Sequence, residues 1–243
     1  MRLPPPRRRR EPVPVVISGE PTSAVLPMRA MCPALTARLR VMLCMLVAAA
    51  AAGCATPATP PPALPIAAAR ELALGAGVTV EGVVTVRAGT FDAGFALQDA
   101  TGGIYVTHAL AMAPEIGERL RVEGRAVAPH SQAGVEPAAL VALGIANSPV
   151  PLESATGAVG PATEGRLVAV RGRVTGDVID DQPWGWKLYL DDGSGPLLIF
   201  VATGTHIDAR VLRAGQNLRI VGFSGRYEQH TELLPRGPRD IGH

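Results

Sequence analysis

Cysteine is scarce in this chain: three in 243 residues, at Cys32, Cys44 and Cys54, and none beyond. The long C-terminal part thus has no disulfide framework, no thiolate zinc site and no cysteine nucleophile. Lysine is scarcer still, with Lys187 alone, and aromatic residues make up only 4% of the chain. Five histidines (His108, His130, His206, His230, His243) are scattered, with no pair at metal-ligand spacing. No glycine-rich phosphate cradle is present. Ser194 lies in Asp192-Gly193-Ser194-Gly195-Pro196, a turn and not a strand-to-helix nucleophile elbow. Asp191 and Asp192 are chain neighbours near a hairpin and point to opposite faces, so they make a poor acid–base pair. Weak calcium binding at Asp180/Asp181 and Asp191/Asp192 is the one metal reading these acids leave open. No catalytic residue, resident metal or cofactor is expected.

Membrane-length apolar runs are missing as well. Val41 to Gly53 is uncharged but has only thirteen residues, against roughly 20 for a membrane-spanning helix. Its flanks give it another meaning. Arg29, Arg38 and Arg40 precede it, and Ala51-Ala52-Gly53-Cys54 follows, which is a charged stretch, an apolar stretch, small residues and then cysteine. Residues 28–53 resemble a bacterial lipoprotein signal, with Ala51 where leucine is commoner. The resemblance implies that Cys54 carries acyl chains and becomes the first residue of the mature protein. Each buried methylene contributes about 0.8 kcal/mol, so more than one chain anchors stably. Ala55 in place of aspartate points to the outer membrane, facing the periplasm. Residues 1–27 are Pro- and Arg-rich and fit no part of this scheme. They read as a disordered basic arm or as the product of an upstream start, Met28 being the better one.

The signal changes the charge balance. Eight of the 23 basic residues and two of the 21 acidic ones precede Cys54, leaving 15 against 19 and a net charge near −4. A protein that tracks a phosphate backbone usually carries a basic excess.

After Cys54, residues 54–65 form a Pro-rich linker, extended and stiff. Ile66 to Leu74 predicts a short helix ending at Gly75. From there short strands alternate with glycine-containing turns, in two copies. Val78 to Val86 matches Leu167 to Thr175, aligning Gly82 with Gly172. Phe95 to Val106 matches Leu188 to Ile199, aligning Asp99 with Asp192. Gly117 to Gly124 matches Gly215 to Gly222. Two domains follow, 66–150 and 151–243. Each reads as five strands, with Leu120 and Val122 inward on the fourth strand of the first copy and Leu218 and Ile220 on that of the second.

A long first strand with a glycine, a tight Asp-x-x-Gly hairpin and a Gly-x-x-Leu-x-Val-x-Gly strand resemble the OB-fold modules of secreted bacterial proteins. The fold class expected is all-β, two tandem five-stranded OB-type barrels. OB barrels take single-stranded nucleic acid, oligosaccharides or proteins across strands two and three and the adjoining loops.

Strand parity then selects the candidate site. In the second copy Leu188, Leu190, Leu197, Ile199 and Val201 point inward, which leaves Lys187, Tyr189, Leu198 and Phe200 outside. Trp184 lies at the tip of the loop before them, with Arg226 and Tyr227 on the loop between strands four and five. Trp184, Lys187, Tyr189, Phe200, Arg226 and Tyr227 are therefore the candidate ligand residues, with burial of Phe200 and Leu198 under the first barrel as the competing reading. Trp186 belongs to the core or rim. The first copy presents Ala96, Gln98, Tyr105 and Thr107 on its outer face, with Phe91 and His130 in its loops and a solvated stripe of Arg119, Arg121 and Arg125 broken by Glu123. The function expected is non-catalytic binding of an envelope protein or saccharide. The alternatives are single-stranded nucleic acid and a purely structural spacer.

Overall fold

The computed structural model describes residues 61–242. The extension, the signal, Cys54 and most of the linker lie outside the described residues. The described residues fall in one compact unit, and among them no helix is long and apolar enough to cross a membrane.

The chain enters along Pro61–Pro65. The end of the predicted tether is docked: the Leu64 amide donates to the Thr79 carbonyl at 2.8 Å, and the Arg121 guanidinium donates to the Pro61 carbonyl. The helix α1 spans only Ile66–Ala69, shorter than the nine residues the sequence suggests. The chain then runs through turns to Gly75, whose φ of +83° only glycine adopts easily.

The first barrel comprises β1 (Gly77–Val86), β2 (Phe95–Gln98), β3 (Gly103–Val106), β4 (Glu118–Val127) and β5 (Gly134–Ile145). β1 pairs antiparallel with β2 and β4, β2 with β3, and β4 with β5, while β3 and β5 meet in parallel, closing the sheet. Two-residue β6 (Leu152–Glu153) follows. β7 (Leu167–Val174), β8 (Ile179–Asp181), β9 (Gly185–Asp191), β10 (Leu197–Ala202), β11 (Asn217–Tyr227), β12 (His230–Leu234) and β13 (Ile241–Gly242) build the second unit. Here β7, β9, β10, β12 and β11 repeat the same circuit, again with one parallel contact, β10 to β12. β6, β8 and β13 are additions to its rim. Two closed five-stranded barrels of OB type follow from this connectivity.

The inward residues read from parity fill the two interiors. Leu120 and Val122 pack with Ile66, Phe95, Leu97 and Ile104 in the first barrel, and Leu188, Leu190, Ile199, Leu218, Ile220 and Leu233 fill the second. Each such aliphatic side chain, fully removed from water, contributes about 1.5–3 kcal/mol. Gly82 and Gly172 sit where the first strand of each barrel crosses the second. A Cβ there would come within 3.1 Å of Gln98 O and 3.0 Å of Asp191 O respectively, so the glycine permits the close approach.

The repeated aspartates have a shared task. Asp99 accepts backbone N–H bonds from Ile66 (2.9 Å), Thr101 and Gly102, tying α1 to the β2–β3 hairpin. Burial pushes its pKa up, but these donors outweigh burial and the net shift is downward. Asp192 does the same in the second barrel, accepting from Ser194 and from the N–H and hydroxyl of Thr156. Its carboxyl is held well below the usual range, first by the Ser194 hydroxyl. Both oxygens of each hairpin aspartate are thereby occupied in turn chemistry. Among the described residues no group of three or more His, Cys, Asp or Glu is placed to hold a metal.

The outer face of the first barrel departs from the sequence reading. Ala96, Gln98 and Tyr105 do point out of the barrel, yet all three are buried, because the second barrel covers them. Val86, Ala96 and Tyr105 pack with Phe223 and Leu234, and Phe91 and Phe200 lean on the same cluster. Gln98 Oε1 accepts the Leu167 N–H at 2.9 Å. Gly103 and Gly165 pass so close that a Cβ on either would overlap the other's backbone. Two arginines of the stripe on β4 are paired locally: Arg119 and Arg121 pair with Glu81, and Arg121 also with Glu123.

Candidate ligand groove

The free OB-type face is the one on the second barrel. The β8–β9 turn carries Trp184, which is 65% exposed. β9 and β10 run antiparallel with Phe200 opposite Lys187 and Leu198 opposite Tyr189. Lys187 sits 5.9 Å from the centroid of the Phe200 ring and pairs with Asp181 at 2.7 Å. Trp184, Lys187, Phe200 and Tyr227 line one hollow of about 420 Å³, together with Asp181, Gln182 and Glu232. Four of the six residues selected from sequence thus converge.

The other two stand apart. Tyr189 is exposed on the same face but does not line that hollow. Arg226 belongs to a neighbouring hollow of about 220 Å³, its Nε bonded to the Glu228 carbonyl because the β11–β12 turn is tight. Phe200 is half-buried, leaning on the inter-barrel cluster while still walling the hollow. Trp186 is half-buried and packs against the barrel core.

The smaller hollow lies between the barrels, walled by Phe91, Tyr105 and His130 from the first and by Phe223, Arg226 and Tyr227 from the second. His130 stacks on Tyr227 with ring centroids 4.7 Å apart, and its carbonyl accepts the Glu228 N–H at 2.7 Å. Asp92 accepts from the Tyr105 hydroxyl and from Gly94 N–H. Burial, reinforced by Asp92, pushes the Tyr105 phenol well above its ordinary pKa. Tyr227 and Glu232 line both hollows, so the two adjoin along one groove-like face.

Glu232 is the residue that sequence reasoning missed. Its carboxylate receives no hydrogen bond from a described residue, and burial raises its pKa from 4.5 to about 7, outweighing the attraction of Lys187, with Asp181 adding to the rise. The available signal was one acid beside two leucines in the strand His230-Thr231-Glu232-Leu233-Leu234. Nothing in that run says that the outer side of β12 faces a groove.

No protein-family model matches the chain, and neither does any curated protein. Among solved structures it is similar to the p204 HINb domain, at 13% identity and a TM-score of 0.34, over 70% of this chain and 96% of that one. It is also similar to the single-stranded DNA binding protein from Thermus aquaticus (16% identity, TM-score 0.24, 67% and 91% coverage) and to tetrameric p202 HIN2 (13%, 0.31, 68% and 91%).

The raised pKa of Glu232 makes a prediction about stability. An acid that keeps its proton longer in the folded state than in the unfolded one costs stability as pH rises from about 4.5 through 7, and the cost is complete above that. Glu232→Gln therefore melts close to wild type near pH 4.5 and above it near pH 8. A thermal-melting offset that is the same at both pH values refutes the assignment.

Proposed function

We propose that the second barrel is a non-catalytic binding module for a saccharide chain, in an exported protein anchored to the envelope membrane through Cys54. The observation that carries the ligand reading is the wall of the larger hollow. The rings of Trp184, Phe200 and Tyr227 line it together with a polar set of Asp181, Gln182, Lys187 and Glu232. A pyranose ring has an apolar C–H face and a rim of hydroxyls. It stacks on such rings while the carboxylates and amide accept and donate at its edge.

The charges argue against a phosphate backbone as the first choice. Lys187 is held by Asp181, the Nε of Arg226 is held by Glu228 O, and Glu232 adds a further acid to the wall. One observation favours single-stranded nucleic acid as a second reading. Tyr189 is 43% exposed beyond the hollow and extends the row of rings, and stacking contributes about 1–3 kcal/mol per base.

A titration of the chain with neutral oligosaccharides and with a single-stranded oligonucleotide, at low and moderate salt, separates the readings. Tryptophan fluorescence follows it, because Trp184 lies in the wall. The saccharide reading expects binding that salt barely changes and that Trp184→Ala weakens roughly tenfold or more. Oligonucleotide binding that collapses with salt supports the second reading, and binding of neither supports the structural spacer.

The anchor rests on the charged-apolar-small-Cys pattern of residues 28–54. Mass spectrometry of the mature N-terminus is expected to find acylated Cys54, and an unmodified residue there refutes it.

A further inference from the structure

We propose that Glu232 anchors a protonated amine, so that the chain taken by this groove is a hexosamine polymer with free amino groups. The inference rests on the saccharide reading above. The other charged groups that line the groove are already engaged. Asp181 on β8 holds Lys187 on β9 at 2.7 Å. Asp92, from the loop before β2, takes the Tyr105 hydroxyl and the Gly94 N–H. Arg226 on β11 donates its Nε to the Glu228 carbonyl. Glu232 lies where the two hollows meet, its carboxylate without a hydrogen bond from any described residue and with Lys187 attracting it only at longer range.

Two features make an ammonium the matching ligand group. Asp181 and Glu232 against Lys187 leave this part of the wall one negative charge in excess when Glu232 is ionised. Its aromatic surface already accepts a cation, since the ammonium of Lys187 itself lies 5.9 Å from the centre of the Phe200 ring, within the range of cation–π attraction. A sugar ring stacked on Trp184 or Tyr227 would bring an amino substituent to a carboxylate that accepts no hydrogen bond from a described residue. A cation there would also draw off the proton that burial favours.

The test compares a short oligomer of β-linked glucosamine with its fully N-acetylated counterpart, on wild type and on Glu232→Gln, near pH 6.5. The free-amine oligomer is expected to bind wild type roughly tenfold more tightly or better, the range of a charge-assisted hydrogen bond. Glu232→Gln is expected to abolish that preference, and a cooperative thermal melt no lower than that of wild type shows that the variant is folded. Equal affinity of wild type for both oligomers overturns the amine assignment and leaves the saccharide reading standing. A preference that survives in Glu232→Gln overturns the assignment to Glu232. Binding of neither oligomer to wild type removes the saccharide reading and this inference together.

Discussion

The structure depends on one docking contact, in which the outer β2–β3 face of the first barrel closes on the second. Gln98 supplies an acceptor to the start of β7, Gly103 and Gly165 let two backbones meet without side chains between them, and Phe223 and Leu234 fill the apolar remainder. Polar groups buried at the seam are matched: Arg70 pairs with Glu164 at 3.2 Å and also donates to Gly103 O, and Glu164 accepts Ala133 N–H. The Arg236 guanidinium, held by Asp240, donates to Thr85 O. An unsatisfied buried partner here would cost about 1–3 kcal/mol.

That contact divides the labour between two copies of one architecture. In the first barrel the surface where OB folds meet ligands is consumed by an intramolecular partner. In the second the equivalent surface stays open. The first barrel still shapes the groove, because docking brings His130 onto Tyr227 and Phe91 toward Phe223. A carboxylate without a hydrogen bond from the described residues in that groove opposes stability, and such departures from local consistency are what functional surfaces tolerate.

Much of the fold was legible because period two is a strong signal. Leu188, Leu190, Ile199, Leu218 and Ile220 announce an interior, and the paired blocks with Asp99 and Asp192 announce two copies. The helix was overread: Ala-rich Ile66 to Leu74 has the propensity for two turns, yet only Ile66–Ala69 is helical, its first N–H held by Asp99. Ala96, Gln98 and Tyr105 were correctly placed outside their barrel, but sequence alone could not say that a second barrel lies on them. Convergence of Trp184, Lys187, Phe200 and Tyr227 followed from parity and loop position. The place of Arg226 did not, since it depends on how its side chain folds back to Glu228 O. Glu232 was invisible for the same reason as the seam: its environment is made by residues from several strands and from both barrels.

The docking claim can be measured at three amides that cross the seam to side chains: Leu167 to Gln98, Ala133 to Glu164 and Arg226 to Gln132. Native-state hydrogen exchange reports each one. A fixed seam predicts that all three exchange slowly, on the scale of the barrel strands. Rapid exchange at all three, with the strand amides of both barrels still protected, would show two barrels that fold but do not dock.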